Sequence, residues 1–158
     1  MSDKLPYRRG VGAVLFNPSG RVLVGKRIDM VSEYWQMPQG GIDKGEKPRQ
    51  AVMRELAEEI GTEKVEIIAK SSGWYAYDLP DDLVGRLWKG KYRGQKQRWF
   101  ALRFLGLDGD IDLNASGHPE FSEWKWVEFD SLPSIIIPFK RRIYEKIVIE
   151  FRHLAVGG

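Results

Sequence analysis

"RELAEEIG", residues 54–61, places Glu55, Glu58 and Glu59 within five positions of one another. Upstream, Pro48 stands where a first helical turn tolerates proline, and Gly61 suits the position just past a helix end, where the backbone turns left-handed. The stretch therefore predicts a helix from Pro48 to Ile60. At 3.6 residues per turn, positions 55, 58 and 59 fall within an arc of about 100°, with Met53, Leu56, Ala57 and Ile60 on the opposite side. Like charges at i, i+3 and i+4 repel by about a few tenths of a kcal/mol per pair unless a cation lies between them. Carboxylate oxygens without nitrogen or sulfur partners suit a hard cation such as Mg²⁺ or Mn²⁺. A bare three-glutamate spacing also suits a solvated helix face, so the surrounding sequence has to decide.

Working outward, "RRGVGAVLFNPSGRVLVGKR" (8–27) is two apolar runs joined by Asn17, Pro18, Ser19 and Gly20, which predicts a hairpin. Residues 28–44 are too broken for a regular element and read as a loop. "KVEIIAKSSGWYAY" (64–77), "QRWFALRFLGL" (97–107) and "SEWKWVEF" (122–129) read as strands, rich in β-branched and aromatic residues. Pro138 opens a final helix in which Phe139, Ile143, Ile147 and Phe151 recur at i+4. Runs of strands without intervening helices argue against a doubly wound parallel sheet. They point to an α/β sandwich around a mixed sheet.

The chain has 158 residues, 42% of them hydrophobic, and is expected to form one domain spanning 1–158. It has no cysteine, which excludes disulfides and thiolate metal sites and fits a reducing, cytoplasmic setting. No apolar run is long enough to suggest a membrane span. Net charge is only +3, but between Leu83 and Leu107 there are seven Lys or Arg and no acid. The acids cluster instead from Asp43 to Glu66. Such an arrangement can hold cations and a polyphosphate together.

The longer stretch "GGIDKGEKPRQAVMRELAEEIGT" carries Gly40, Glu46, Arg54, Glu55, Leu56, Glu58, Glu59 and Gly61 in the order and spacing of the Nudix box, G-x(5)-E-x(7)-R-E-U-x-E-E-x-G-U, where U is a bulky aliphatic. The chain thus resembles the Nudix hydrolases, with the box at 40–62 and Thr62 departing from the last aliphatic position. The resemblance implies an α/β/α sandwich and hydrolysis of a nucleoside diphosphate linkage. It implies Glu55, Glu58 and Glu59 as ligands of more than one Mg²⁺ or Mn²⁺ ion, Arg54 orienting a glutamate, Glu46 supporting the entry to the helix, and Gly40 letting the loop backbone pass close to the metal.

The flanks "YWQMPQGGID", "GQKQRWFALRF", "PEFSEWKWV" and "FKRRIYEKIVIEF" resemble the bacterial branch that acts on 5′-triphosphorylated RNA or on dinucleoside polyphosphates. That resemblance adds Glu120 as a fourth metal ligand or general base, with Glu55, Glu59 and Glu120 all open as the base. Arg8, Arg27, Lys96 and Lys140 are candidate phosphate contacts. Tyr77 and Phe139 are candidate base-stacking faces, and Gln95 is a candidate hydrogen-bonding partner for a purine edge or phosphate. The expected partners are a nucleotide polyphosphate and the 5′ end of RNA, without DNA or membrane, and no protein activator is named. Alternatives are an oxidised nucleoside triphosphate or ADP-ribose as substrate, or a non-catalytic nucleotide- or RNA-binding module.

Overall fold

A computed structural model describes residues 5–29 and 32–155. The expected domain bounds and the loop after Ile28 therefore extend in part outside the described residues. Six strands, β1 (Tyr7–Phe16), β2 (Val22–Arg27), β3 (Gln39–Gly41), β4 (Val65–Asp78), β5 (Gly94–Phe104) and β6 (Phe121–Val127), form one sheet in the order β4-β5-β1-β2-β6, with β3 also paired to β1. β1 and β5 run parallel from Tyr7↔Gly94 to Phe16↔Arg103, and the other pairs are antiparallel. The mixed sheet is as expected. Helices α1 (Pro48–Ile60) and α3 (Arg141–Phe151) cover its two faces, and the short α2 (Leu132–Ile135) packs beside α3.

The two faces follow from the period-2 alternation of strand side chains. Val11, Ala13 and Leu15 of β1, with Phe100, Leu102 and Phe104 of β5, meet Ala51, Val52, Leu56 and Ile60 of α1. Val14 and Phe16, with Trp99 and Ala101, meet Ile143, Tyr144, Ile147 and Phe151 of α3. Leu56 has no exposed surface, so its truncation to alanine should cost about 2–5 kcal/mol.

The predicted hairpin is present. Asn17 Oδ1 accepts the backbone N–H of Ser19 at 3.1 Å and of Arg21 at 2.9 Å, and Gly20 closes the turn at φ 81°. Its strands then part: β1 pairs β2 at Phe16↔Val22, whereas β3 takes the edge of β1 at Gly10, Val11 and Gly12. Residues 36–41 occupy the space between β1 and β2, with Gln36 bridged to Gly25 and the Ala13 N–H donated to Pro38 O at 2.9 Å, and Gly40 of this segment lies against Glu55 of α1.

Three sequence expectations need correction. Residues 28–44 are not wholly irregular, because β3 forms there and Gln36 bridges to Gly25. The last helix starts at Arg141, preceded by a 3₁₀ turn at Pro138–Lys140, so Phe139 sits in the turn and not on the helical stripe. On α1 the three glutamates do not share one face set opposite Leu56 and Ile60. Glu55 and Glu59 lie in the buried arc with Val52, Leu56 and Ile60, while Glu58 is exposed.

Candidate active site

Helix α1 ends as the sequence predicts: Gly61 adopts φ 70° and donates its N–H to Ala57 O at 3.1 Å. Thr62, at the departing box position, is buried, and its Oγ1 accepts the Lys64 N–H at 3.1 Å. The helix therefore tolerates threonine where a bulkier side chain was anticipated.

On the buried arc, Glu55 and Glu59 converge with Glu120, each offering a carboxylate oxygen within 4.8 Å of the others. Glu120 arrives from the residue before β6, where its carbonyl accepts the Ile28 N–H at 2.8 Å and so ties it to the end of β2. Glu59 is 1% exposed, and among the described residues neither of its carboxylate oxygens has a hydrogen-bond partner. Burial, with Glu120 and Glu55 nearby, pushes its carboxyl well above the usual range. Burial likewise pushes Glu55 up to about 7, against the pull of Arg54. A buried carboxylate lacking donors is costly by several kcal/mol unless a positive charge meets it. Three carboxylates without a nitrogen or sulfur donor fit a hard divalent cation.

Arg54 organises the other side of Glu55. Its Nε and Nη2 donate to Glu46 at 2.8 and 2.9 Å, its Nη1 to Glu55 at 2.9 Å, and its Nη2 also to Gly41 O at 2.8 Å. The two-pronged contact holds the Glu46 carboxyl down at about 2. Glu58 stands 3.4 Å from Arg54 Nη1 and is not among the three converging carboxylates. Gly40 is required by packing: a Cβ built there would fall 1.9 Å from Glu55 Cδ. Its neighbour Gly41 makes room in the same way for the Arg8 guanidinium.

A cavity of about 430 Å³ opens on the α3 side of the sheet, lined by Arg27, Gln39, Tyr77, Trp88, Phe139 and Lys140 among others. The three carboxylates do not line it, but Arg27 couples the two, since it lines the cavity while its charge is felt together with those of Glu120 and Glu59. Asp29 grips Arg27 at 2.8 and 2.6 Å. Lys140 lies 5.3 Å from the Tyr77 ring and 5.9 Å from the Phe139 ring, and these rings are 5.7 Å apart. Burial, then the Arg27 charge, brings the Lys140 ammonium down to about 7. Gln95 is fully buried: its Oε1 accepts the Tyr77 hydroxyl at 3.0 Å and Gln97 Nε2 at 3.2 Å, and its Nε2 has no acceptor among the described residues.

Arg27, Tyr77, Phe139 and Lys140 are thus brought together, with Gln95 behind Tyr77. Arg8 reaches the same wall, its guanidinium 5.1 Å from the Trp88 ring that lines the cavity. Lys96 is not there, because it alternates with Gln95 and Gln97 on β5 and so faces the α1 side. Asp29, Gln39, Gln97 and Trp88 were not anticipated. Gln97 was within reach of sequence reasoning, standing two residues after Gln95 at the start of the strand predicted over 97–107.

The NUDIX domain matches residues 6–147. Among curated relatives, the chain is 53% identical to a protein of Rhodospirillum rubrum named RNA pyrophosphohydrolase, over 152 residues that cover 96% of this chain and 91% of the relative. It is 47% identical over 158 residues to a protein of the same name from Wolbachia pipientis subsp. Culex pipiens, covering 100% of this chain and 97% of the relative. Among solved structures, the E. coli dihydroneopterin triphosphate pyrophosphohydrolase superposes with TM-score 0.69 at 21% identity, covering 92% of this chain and 99% of that one. A C. elegans Ap4A hydrolase binary complex gives TM-score 0.65 at 20% identity, covering 92% and 98%. These structural likenesses concern the fold. Taken with the carboxylate cluster that the box builds, the matches establish that the chain belongs to the Nudix family of hydrolases acting on phosphoric anhydrides.

Proposed function

We propose that this hydrolase removes pyrophosphate from the 5′ end of triphosphorylated RNA in a divalent-metal-dependent reaction in the cytoplasm. The observation that carries the reading is Glu59, a buried carboxylate with no donor, within 4.8 Å of Glu55 and Glu120. The names of relatives about half identical over nearly the whole chain support the RNA substrate.

Glu55, Glu59 and Glu120 would hold the cations, Mg²⁺ or Mn²⁺, with Glu58 as a further ligand from the same helix. Bound there, such ions would neutralise the polyphosphate, polarise phosphorus and lower the pKa of a water. Arg54 keeps Glu55 aimed inward. Arg27 and Lys140 supply positive charge toward the polyphosphate, with Arg8 and Lys96 as outlying phosphate contacts. Tyr77 and Phe139 offer a wall for a base, with Gln95 behind it, and any of Glu55, Glu59 and Glu120 can take the proton of the attacking water.

A second reading, asymmetric cleavage of dinucleoside polyphosphates, is favoured by the aromatic wall. A cavity of about 430 Å³ with two rings 5.7 Å apart can take a base without an RNA chain attached. The test is to incubate the protein and Glu59→Gln with Mg²⁺ and either triphosphorylated RNA or diadenosine tetraphosphate. Pyrophosphate release from RNA that is lost in the variant is the expected result. ATP release from the dinucleotide alone favours the second reading, and neither product refutes both.

A further inference from the structure

Trp35 lines the cavity, and its backbone N–H is fixed by Ile135 O at 2.9 Å. Two ammonium groups converge on its ring, Lys125 Nζ at 4.2 Å and Lys26 Nζ at 5.1 Å from the centroid. They come from neighbouring strands: Lys125 stands opposite Val24 across the β2–β6 pair, and Lys26 lies two residues beyond Val24. Val24 packs in the α3-side core, so by strand alternation both lysines emerge on the face that carries the cavity.

Neither lysine forms an ion pair among the described residues, not even with Glu123, the cross-strand partner of Lys26. The ring attracts each cation through its quadrupole. It does not cancel the repulsion of two like charges gathered over one side chain. Such a pair is stabilised by an anion that bridges them, and the adjoining cavity is lined by Arg27, with its partner Asp29, and by Lys140. A cationic strip with an aromatic platform matches how proteins track a single-stranded backbone.

We propose that Lys26, Lys125 and Trp35 form an exit platform for single-stranded RNA, binding the nucleotides that follow the 5′-terminal one while its polyphosphate occupies the reaction site. This rests on the RNA reading above. A dinucleoside polyphosphate has no chain to lay there, so the platform would discriminate in favour of RNA.

The test compares kcat/KM for triphosphorylated substrates of one, two, three and six nucleotides, and for diadenosine tetraphosphate, between the parent and a Lys26→Gln/Lys125→Gln variant. Thermal melting of both proteins checks folding. In the parent, kcat/KM should rise with chain length. In the variant that rise should flatten, and the ratio of RNA to dinucleotide turnover should fall. The slope of log kcat/KM against log salt for the six-nucleotide RNA should shrink by about 1.4, the loss of two single-strand phosphate contacts. A variant with the same length dependence and salt slope overturns the platform while leaving the RNA reading intact. A parent that cleaves the dinucleotide and no RNA overturns both.

Discussion

Replacing Gly40 with alanine should separate catalysis from folding. The new Cβ would lie 1.9 Å from Glu55 Cδ and 2.2 and 2.3 Å from its two oxygens. Ordinary contact starts near 3.4 Å, so the carboxylate must retreat by more than about 1 Å. It is the far end of a flexible side chain and can swing away without moving the backbone. The fold therefore loses little: the 2.9 Å contact to Arg54 goes, worth about 1.5–3 kcal/mol at most, offset by a Gly→Ala gain of about 0.4–1 kcal/mol in the unfolded chain. Activity depends on where that carboxylate sits, and a displacement of about 1 Å is enough to cost about a hundredfold in rate. Steady-state pyrophosphate release at saturating Mg²⁺, with urea denaturation alongside, gives both quantities. Gly40→Ala and Glu55→Gln should also be strongly non-additive, since both act on one group. A variant within threefold of parental kcat/KM, or fully additive with Glu55→Gln, would show that the position of the Glu55 carboxylate does not set the rate.

Lys140 has a folded pKa of about 7 against an ordinary 10.5, so between those values the unfolded chain binds a proton that the folded one lacks, and stability rises with pH. Lys140→Met should therefore be more stable than the parent at pH 6. That advantage should shrink from pH 7 to 10.5 by no more than about 5 kcal/mol in urea melts at stepped pH. Arg54→Lys replaces a fork that serves Glu46, Glu55 and Gly41 O with a single ammonium, and should lower kcat about tenfold and stability by about 2 kcal/mol. Lys89 is exposed and left-handed at φ 59°, so Lys89→Gly relieves about 1–2 kcal/mol of backbone strain against about 0.5–1 kcal/mol of added unfolded-chain entropy, and should raise stability by about 0.5 kcal/mol in the same denaturation assay.

Local signals carried much of the fold. Pro48, Gly61 and the turn at Asn17–Gly20 act within a few residues, so the helix and the hairpin were legible. β3 was not, because Gln39, Gly40 and Gly41 have little strand propensity and pair only when β1 presents an edge that β2 has left. The buried glutamates were not legible either. Helical periodicity alone put Glu55 and Glu59 opposite Leu56 and Ile60, whereas tertiary packing buries all four, and Glu120 joins from a residue more than sixty positions away. Lys96 is a different case. The predicted strand begins at Gln97; β5 in fact starts at Gly94, and the alternation with Gln95 and Gln97 that this adds sends Lys96 to the other face.

Glu59 sits with Glu55 and Glu120 where a divalent cation would meet all three carboxylates. Titrating Mn²⁺ into the parent and Glu59→Gln, with free ion followed by electron paramagnetic resonance, tests it without any substrate. Mn²⁺ should bind at least about tenfold more weakly to the variant. In EDTA the variant should melt no lower than the parent, because it lacks the buried carboxylate that has no donor. Unchanged Mn²⁺ affinity in a folded Glu59→Gln protein would contradict a cation site at Glu59.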